Sequence, residues 1–196
     1  MDEKTKKEIE LRDYLIRFQQ TAIKETGRRP LTFLRTPLDE KLLLPGCQRP
    51  GYAFWQPIPW QDGNVPLGPL AEQFHHSIVE YLSMCQFLEI HFHLPVAHMN
   101  SPLSFLYNRT FETCKNTESA PPSRAFEAGF YRRKPPTLPL AYCMATTCDG
   151  AEPLLLMLRA EDGQAFIQHA TGDPSPLYLK LGLDRLLPKL QFVYDI

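Results

Sequence analysis

The chain has 196 residues, and 21 lysines and arginines stand against 22 aspartates and glutamates for a formal net charge of −1. A balance this even excludes nucleic-acid binding by bulk charge, while an apolar share of 43% is enough for one domain, residues 1–196, with a sizeable core. The opening Met1-Asp2-Glu3-Lys4-Thr5-Lys6-Lys7 lacks the apolar stretch of a signal peptide, and the run Leu154 to Leu158 is far too short to span a bilayer, so a cytoplasmic protein is expected.

Residues 3 to 26 read as a first helix. Leu11, Leu15, Phe18 and Ala22 share one stripe, with Tyr14 beside it. Ile9, Ile16 and Ile23 form a second stripe, which predicts a broad buried face. Gly27 is a natural stop before Arg28-Arg29-Pro30. Thr36-Pro37-Leu38-Asp39 and Leu44-Pro45-Gly46 read as loop and turns.

Gly51-Tyr52-Ala53-Phe54-Trp55-Gln56-Pro57-Ile58-Pro59-Trp60 follows, with both tryptophans and no charge. Gly51 to Trp55 reads as a short strand. Pro57 and Pro59 forbid a continuing ladder because proline has no N–H to donate. The strand therefore runs into an aromatic-walled corner. Such residues suit either a core or a binding surface. Trp60, between Pro59 and Gln61-Asp62-Gly63-Asn64, is expected to be the exposed one.

Leu70, Phe74, Ile78, Tyr81 and Cys85 predict a second helix over about 69 to 84, begun by Pro69. His75 and His76 would then point in different directions. From Phe87 to Leu94 the period is two, which predicts a half-buried strand with Glu89, His91 and His93 on its polar face, ended by Pro95. Ser101-Pro102 could start a short helix through Phe111. Asn116 to Arg124 reads as an exposed loop, and Arg132-Arg133-Lys134 as a basic knot. Leu138 to Thr146 reads as a strand. Pro153 to Arg159 and Gln164 to His169 flank Glu161-Asp162-Gly163, a hairpin signal. Leu179, Leu183, Leu186, Leu187 and Leu190 predict a closing helix that Pro188 must disturb. The order predicts an α+β fold, a mainly antiparallel sheet with helices packed against it.

Little in the chain points to catalysis. There is no serine on a sharp glycine turn and no phosphate-cradling glycine motif. The five cysteines, an odd number without a CxxC pair, fit reduced thiols. Cys143 and Cys148 lack the second pair a zinc site needs. His91 and His93, two imidazoles on one strand face with His98 beyond, are weak metal candidates. No cofactor is expected.

The charge pattern is more informative. No lysine or arginine lies between Arg49 and Arg109, whereas Asp62, Glu72, Glu80 and Glu89 do. If these segments fold together, their surface would attract a basic partner.

The segment Phe54-Trp55-Gln56-Pro57-Ile58-Pro59-Trp60 resembles the Trp-Gln-Pro-x-Pro-aromatic signature of the Syd family, bacterial proteins named for interaction with SecY, within the SUKH superfamily. Cys47 upstream, Pro135-Pro136-Thr137-Leu138 with Ala141, and the leucines of the tail are similar to further features of that family. Residues 97 to 134 read as an insertion relative to it. The resemblance implies a non-catalytic, cytoplasmic α+β protein whose acidic, aromatic surface meets the basic cytoplasmic loops of SecY, associating with the membrane only through that partner. The partner-binding residues would be Trp55, Gln56, Trp60, Asp62, Glu72 and Glu89. The mild net charge also admits the superfamily's other occupation, immunity proteins that neutralise a toxin.

Overall fold

The structure, a computed structural model, describes residues 3–34, 40–60, 68–94, 110–113, 137–147, 150–169 and 176–194. Helix α1 spans Glu3–Thr26, the bounds its periodicity predicts. Leu15, Phe18 and Ala22 are buried. Gly27 ends the helix at φ 69°, and its N–H donates to the Ile23 carbonyl at 2.9 Å. That is the left-handed closure glycine adopts without a Cβ penalty. The second stripe is not buried at Ile16 and Ile23, which are 44% and 45% exposed. Over its described side chains the helix presents a narrow face to the core.

Among the described residues, two antiparallel sheets follow. In the smaller one, β3 (Tyr52–Trp55) lies between β1 (Leu31–Phe33) and β2 (Leu43–Leu44). Leu31 pairs with Phe54 and Leu43 with Trp55. The sequence predicts only β3 of these. The flanking strands are two and three residues long, too short for alternation to show.

The larger sheet has the order β10-β4-β5-β6-β7-β8-β9. Its strands are β4 (His91–His93), β5 (Thr110–Thr113), β6 (Thr137–Thr147), β7 (Gly150–Arg159), β8 (Gln164–His169), β9 (Leu177–Gly182) and β10 (Gln191–Phe192). The Glu161-Asp162-Gly163 turn joins β7 to β8 as the sequence predicts, with Gly163 at φ 67°. Pro139 sits inside β6 at a register shift between Pro139 and Ala141, where a missing N–H is tolerated. Among the described residues β9 is a margin of the sheet, and its register against β8 also shifts. Lys180 there takes φ 54°.

Four expectations need correction. The predicted helix over 69 to 84 is two pieces, a 3-10 segment Gly68–Gln73 and α2 (His76–Ser83). The break falls at Phe74-His75, where the His75 N–H donates to the Ala160 carbonyl instead of continuing a helix. Phe87 to Ile90 is not strand, and all four residues are buried, Glu89 included. Phe111 belongs to β5, opposite Phe92, rather than to a helix. The tail is β9, then a single turn α3 (Leu183–Leu186), a 3-10 segment Leu187–Lys189 containing Pro188, and β10. Its five leucines are buried as their spacing suggests, but through three kinds of backbone.

One hydrophobic core joins the parts. Leu15 and Phe18 of α1, Trp55 of β3, Ile78 and Tyr81 of α2, Leu88, Ile90 and Phe92, Leu156 of β7 and Leu183 of α3 belong to one cluster. Phe18 packs between the two sheets, with its ring 6.0 Å from Trp55 and 4.9 Å from Phe192. Among the described residues, no helix is long and apolar enough to cross a membrane.

Candidate functional site

The aromatic corner is held by hydrogen bonds from both sides. The Gln56 N–H donates to the Leu42 carbonyl at 3.0 Å, continuing the line of the small sheet. Ile58, between the two prolines, then makes an isolated antiparallel bridge to Gln86. Its N–H donates to the Gln86 carbonyl at 3.2 Å, and the Gln86 N–H returns to the Ile58 carbonyl at 2.8 Å. Trp60 completes the attachment, its indole N–H donating to the Leu82 carbonyl at 3.0 Å. Leu82 lies in the last turn of α2, where carbonyls have no partner within the helix. The corner thus caps α2, and the prolines leave Ile58 as the one residue of Pro57-Ile58-Pro59 able to donate.

The residues expected to bind a partner do not share one surface. Trp55 is fully buried, so it belongs to the core and offers nothing to a partner. Glu89 is 3% exposed and is likewise withdrawn. Its Oε1 accepts from the Thr32 hydroxyl at 2.7 Å and from the Phe33 N–H at 3.0 Å. This carboxylate ties the segment before β4 to β1, because β1 supplies the donors that make its burial tolerable. Gln56 and Trp60 are half-buried, Pro59 is exposed, and Glu72 is exposed on the 3-10 segment. Asp62 lies outside the described residues. Arg29 reaches the corner from outside the base-free interval, its guanidinium donating to Gln56 Oε1 at 3.3 Å. The corner is therefore less negative than the linear pattern suggests.

His91 and His93 project on one face of β4, opposite Glu112 and Thr110 of β5, and both are half-buried. His98 lies outside the described residues. Among the described residues, no three histidine, cysteine or acidic side chains are grouped to hold a metal ion. Cys143 is buried in the core, and Cys85 is half-buried beside it.

A second cluster, at the start of α2, escaped the sequence. His75 is not in the helix but precedes it as its N-cap, with φ −55° and ψ 139°. The His75 and His76 rings consequently lie 4.1 Å apart rather than pointing apart. Beside them, Arg159 and Asp162 form an ion pair across the β7–β8 turn, with Nε to Oδ1 at 3.0 Å. Asp162 Oδ1 also accepts from the Gln164 N–H at 3.1 Å. The hydrogen bond from Arg159 is the main cause that holds the Asp162 carboxyl below its ordinary range. The same bond, outweighing burial, raises the Arg159 guanidinium.

No protein-family model matches the chain, and no curated protein matches it in sequence.

Proposed function

We propose that the chain is a non-catalytic protein-binding module of the Syd kind, whose corner at Gln56 to Trp60, aided by exposed acid such as Glu72, docks on the basic cytoplasmic loops of SecY. The observation that carries this reading is the mounting of the corner. A proline-stiffened aromatic segment is held at the end of α2 by Ile58–Gln86 and Trp60–Leu82 bonds, with Pro59 exposed and the Trp60 ring half-open. Rigid aromatic surface of this sort binds at low cost in side-chain entropy. Glu72 adds exposed negative charge in an interval without lysine or arginine. Positive loops are expected of SecY because cytoplasmic loops carry the lysine and arginine excess.

The test is binding of the full chain to SecY cytoplasmic-loop peptides at low and raised salt. Binding should weaken as salt rises, should drop roughly tenfold or more in Trp60→Ala as an anchor is lost, and should drop less in Glu72→Lys. Circular dichroism of each variant checks that the fold survives. Salt-indifferent binding, or affinity unchanged in both folded variants, would count against the reading. Glu89 is unsuited to this test, since its replacement disturbs the fold.

A further inference from the structure

N-caps are usually Ser, Thr, Asp or Asn, whose oxygen accepts from an early helix N–H. Here a histidine fills that role. The Ser77 N–H donates to His75 Nδ1 at 3.4 Å, and the Ser77 hydroxyl lies 2.9 Å from the same nitrogen. A backbone N–H can only donate, so Nδ1 carries a lone pair and the ring proton sits on Nε2. The same edge of the ring faces the β7–β8 turn. A Cβ on Gly163 would stand 3.1 Å from His75 Nδ1 and 2.8 Å from Ser77 Oγ. The His75 N–H donates to Ala160 in that turn. The imidazole is clamped where helix and hairpin meet.

We propose that His75 is a pH-sensitive clasp, whose neutral ring joins the start of α2 to the β7–β8 turn and whose protonation loosens that junction. A proton on Nδ1 removes the lone pair that receives the Ser77 N–H. It also places positive charge at a helix end whose free amides are already positive. The charged groups that act on the ring are His76 and Glu80 on α2, Asp162 on the turn and Asp184 on α3, while Arg159 at the end of β7 pairs with Asp162. Burial is the largest influence on His75 and disfavours the cation, and His76 adds to it; Asp162, Asp184 and Glu80 act the other way. Asp162 is already engaged by Arg159, which blunts its pull. The net result holds His75 below the ordinary 6.5.

Below about pH 6.5 the unfolded chain takes up a proton that the folded chain refuses, so stability falls as the pH drops through this range. It levels off once folded His75 is also protonated.

The experiment is imidazole ¹⁵N NMR of the full chain, together with thermal unfolding of wild type and His75→Asn from about pH 8 to about pH 5. Asparagine keeps a capping oxygen but does not titrate. The expected result is a His75 resonance of the Nε2–H tautomer that titrates below 6.5. Acidification should lower Tm more in wild type than in His75→Asn, and should lower the protection of the Ser77 and Ile78 amides, relative to their intrinsic exchange at each pH, in wild type alone. A His75 pKa at or above 6.5, an Nδ1–H tautomer, or an identical loss of Tm in the variant would overturn the proposal. If His75→Asn does not fold, the titration and tautomer of wild-type His75 decide by themselves.

Discussion

Glu89 is a buried carboxylate whose two hydrogen-bond donors both come from β1. By alternation it belongs on a wet strand face, yet the carboxylate is buried and bonded to Thr32 and to the backbone of Phe33. Thr32 is itself 1% exposed, so removing the acceptor strands a hydroxyl and an amide away from water. Glu89→Ala should cost about 2–4 kcal/mol in urea unfolding. Glu89→Gln should cost less, because its amide oxygen still accepts from one of the two donors. Equal, small losses in both would mean the carboxylate contributes little to holding β1. Nothing local announces this residue: its donors lie 57 and 56 positions away in the chain, and periodicity cannot see a partner at that distance. Trp55 and Trp60 illustrate the same limit. The sequence marks both as large and rigid, but only the fold separates a tryptophan packed on Phe18 from one whose indole serves the end of α2.

Elements were legible where a local stop signal coincided with a change of period. Gly27 closes α1 at the predicted residue, and Glu161-Asp162-Gly163 closes the β7–β8 hairpin. These two glycines have nearly the same backbone, φ 69° and φ 67°, but different surroundings. A Cβ at position 27 meets nothing within 4 Å, whereas one at 163 would press on Ser77 and His75. Gly27→Ala should therefore cost only the left-handed backbone penalty, about 1 kcal/mol. Gly163→Ala should cost about 2–3 kcal/mol, since it adds overpacking to that penalty. Equal losses in chemical denaturation would show that the α2 junction yields freely. The misread elements share a cause. In the tail, an apolar interval of three or four residues is met by a strand end, one α turn and a 3-10 turn in succession. The overlooked sign was Gly182, which stands as the N-cap of α3 in extended conformation. At 69 to 84 the periodicity runs through a break that is made by a hydrogen bond to Ala160, far along the chain.

At the scale of the molecule, two sheets that share no strand nevertheless share one core. α1 lies against both through Phe18, and Glu89 links the segment before β4 to β1. Unfolding should accordingly be a single transition. Tryptophan fluorescence, which reports Trp55 in the small sheet and the corner at Trp60, should change at the same urea concentration as far-ultraviolet circular dichroism, to which the 24 residues of α1 contribute strongly. A fluorescence midpoint well below the dichroism midpoint would mean that the small sheet and the corner detach first. The antiparallel α+β architecture was legible from the hairpins of the second half, while its division into two sheets was not, because β1 and β2 are too brief to leave a pattern.

The kinked margin of the larger sheet has a consequence for how the protein behaves in a crowded solution. An outermost strand with free peptide groups is a template on which another chain can grow, and fibrils begin that way. Strand β9 interrupts that template: Lys180 turns its backbone to a positive φ in mid-strand, and its charged side chain is exposed. A flat, neutral strand in its place would invite stacking of one molecule upon the next.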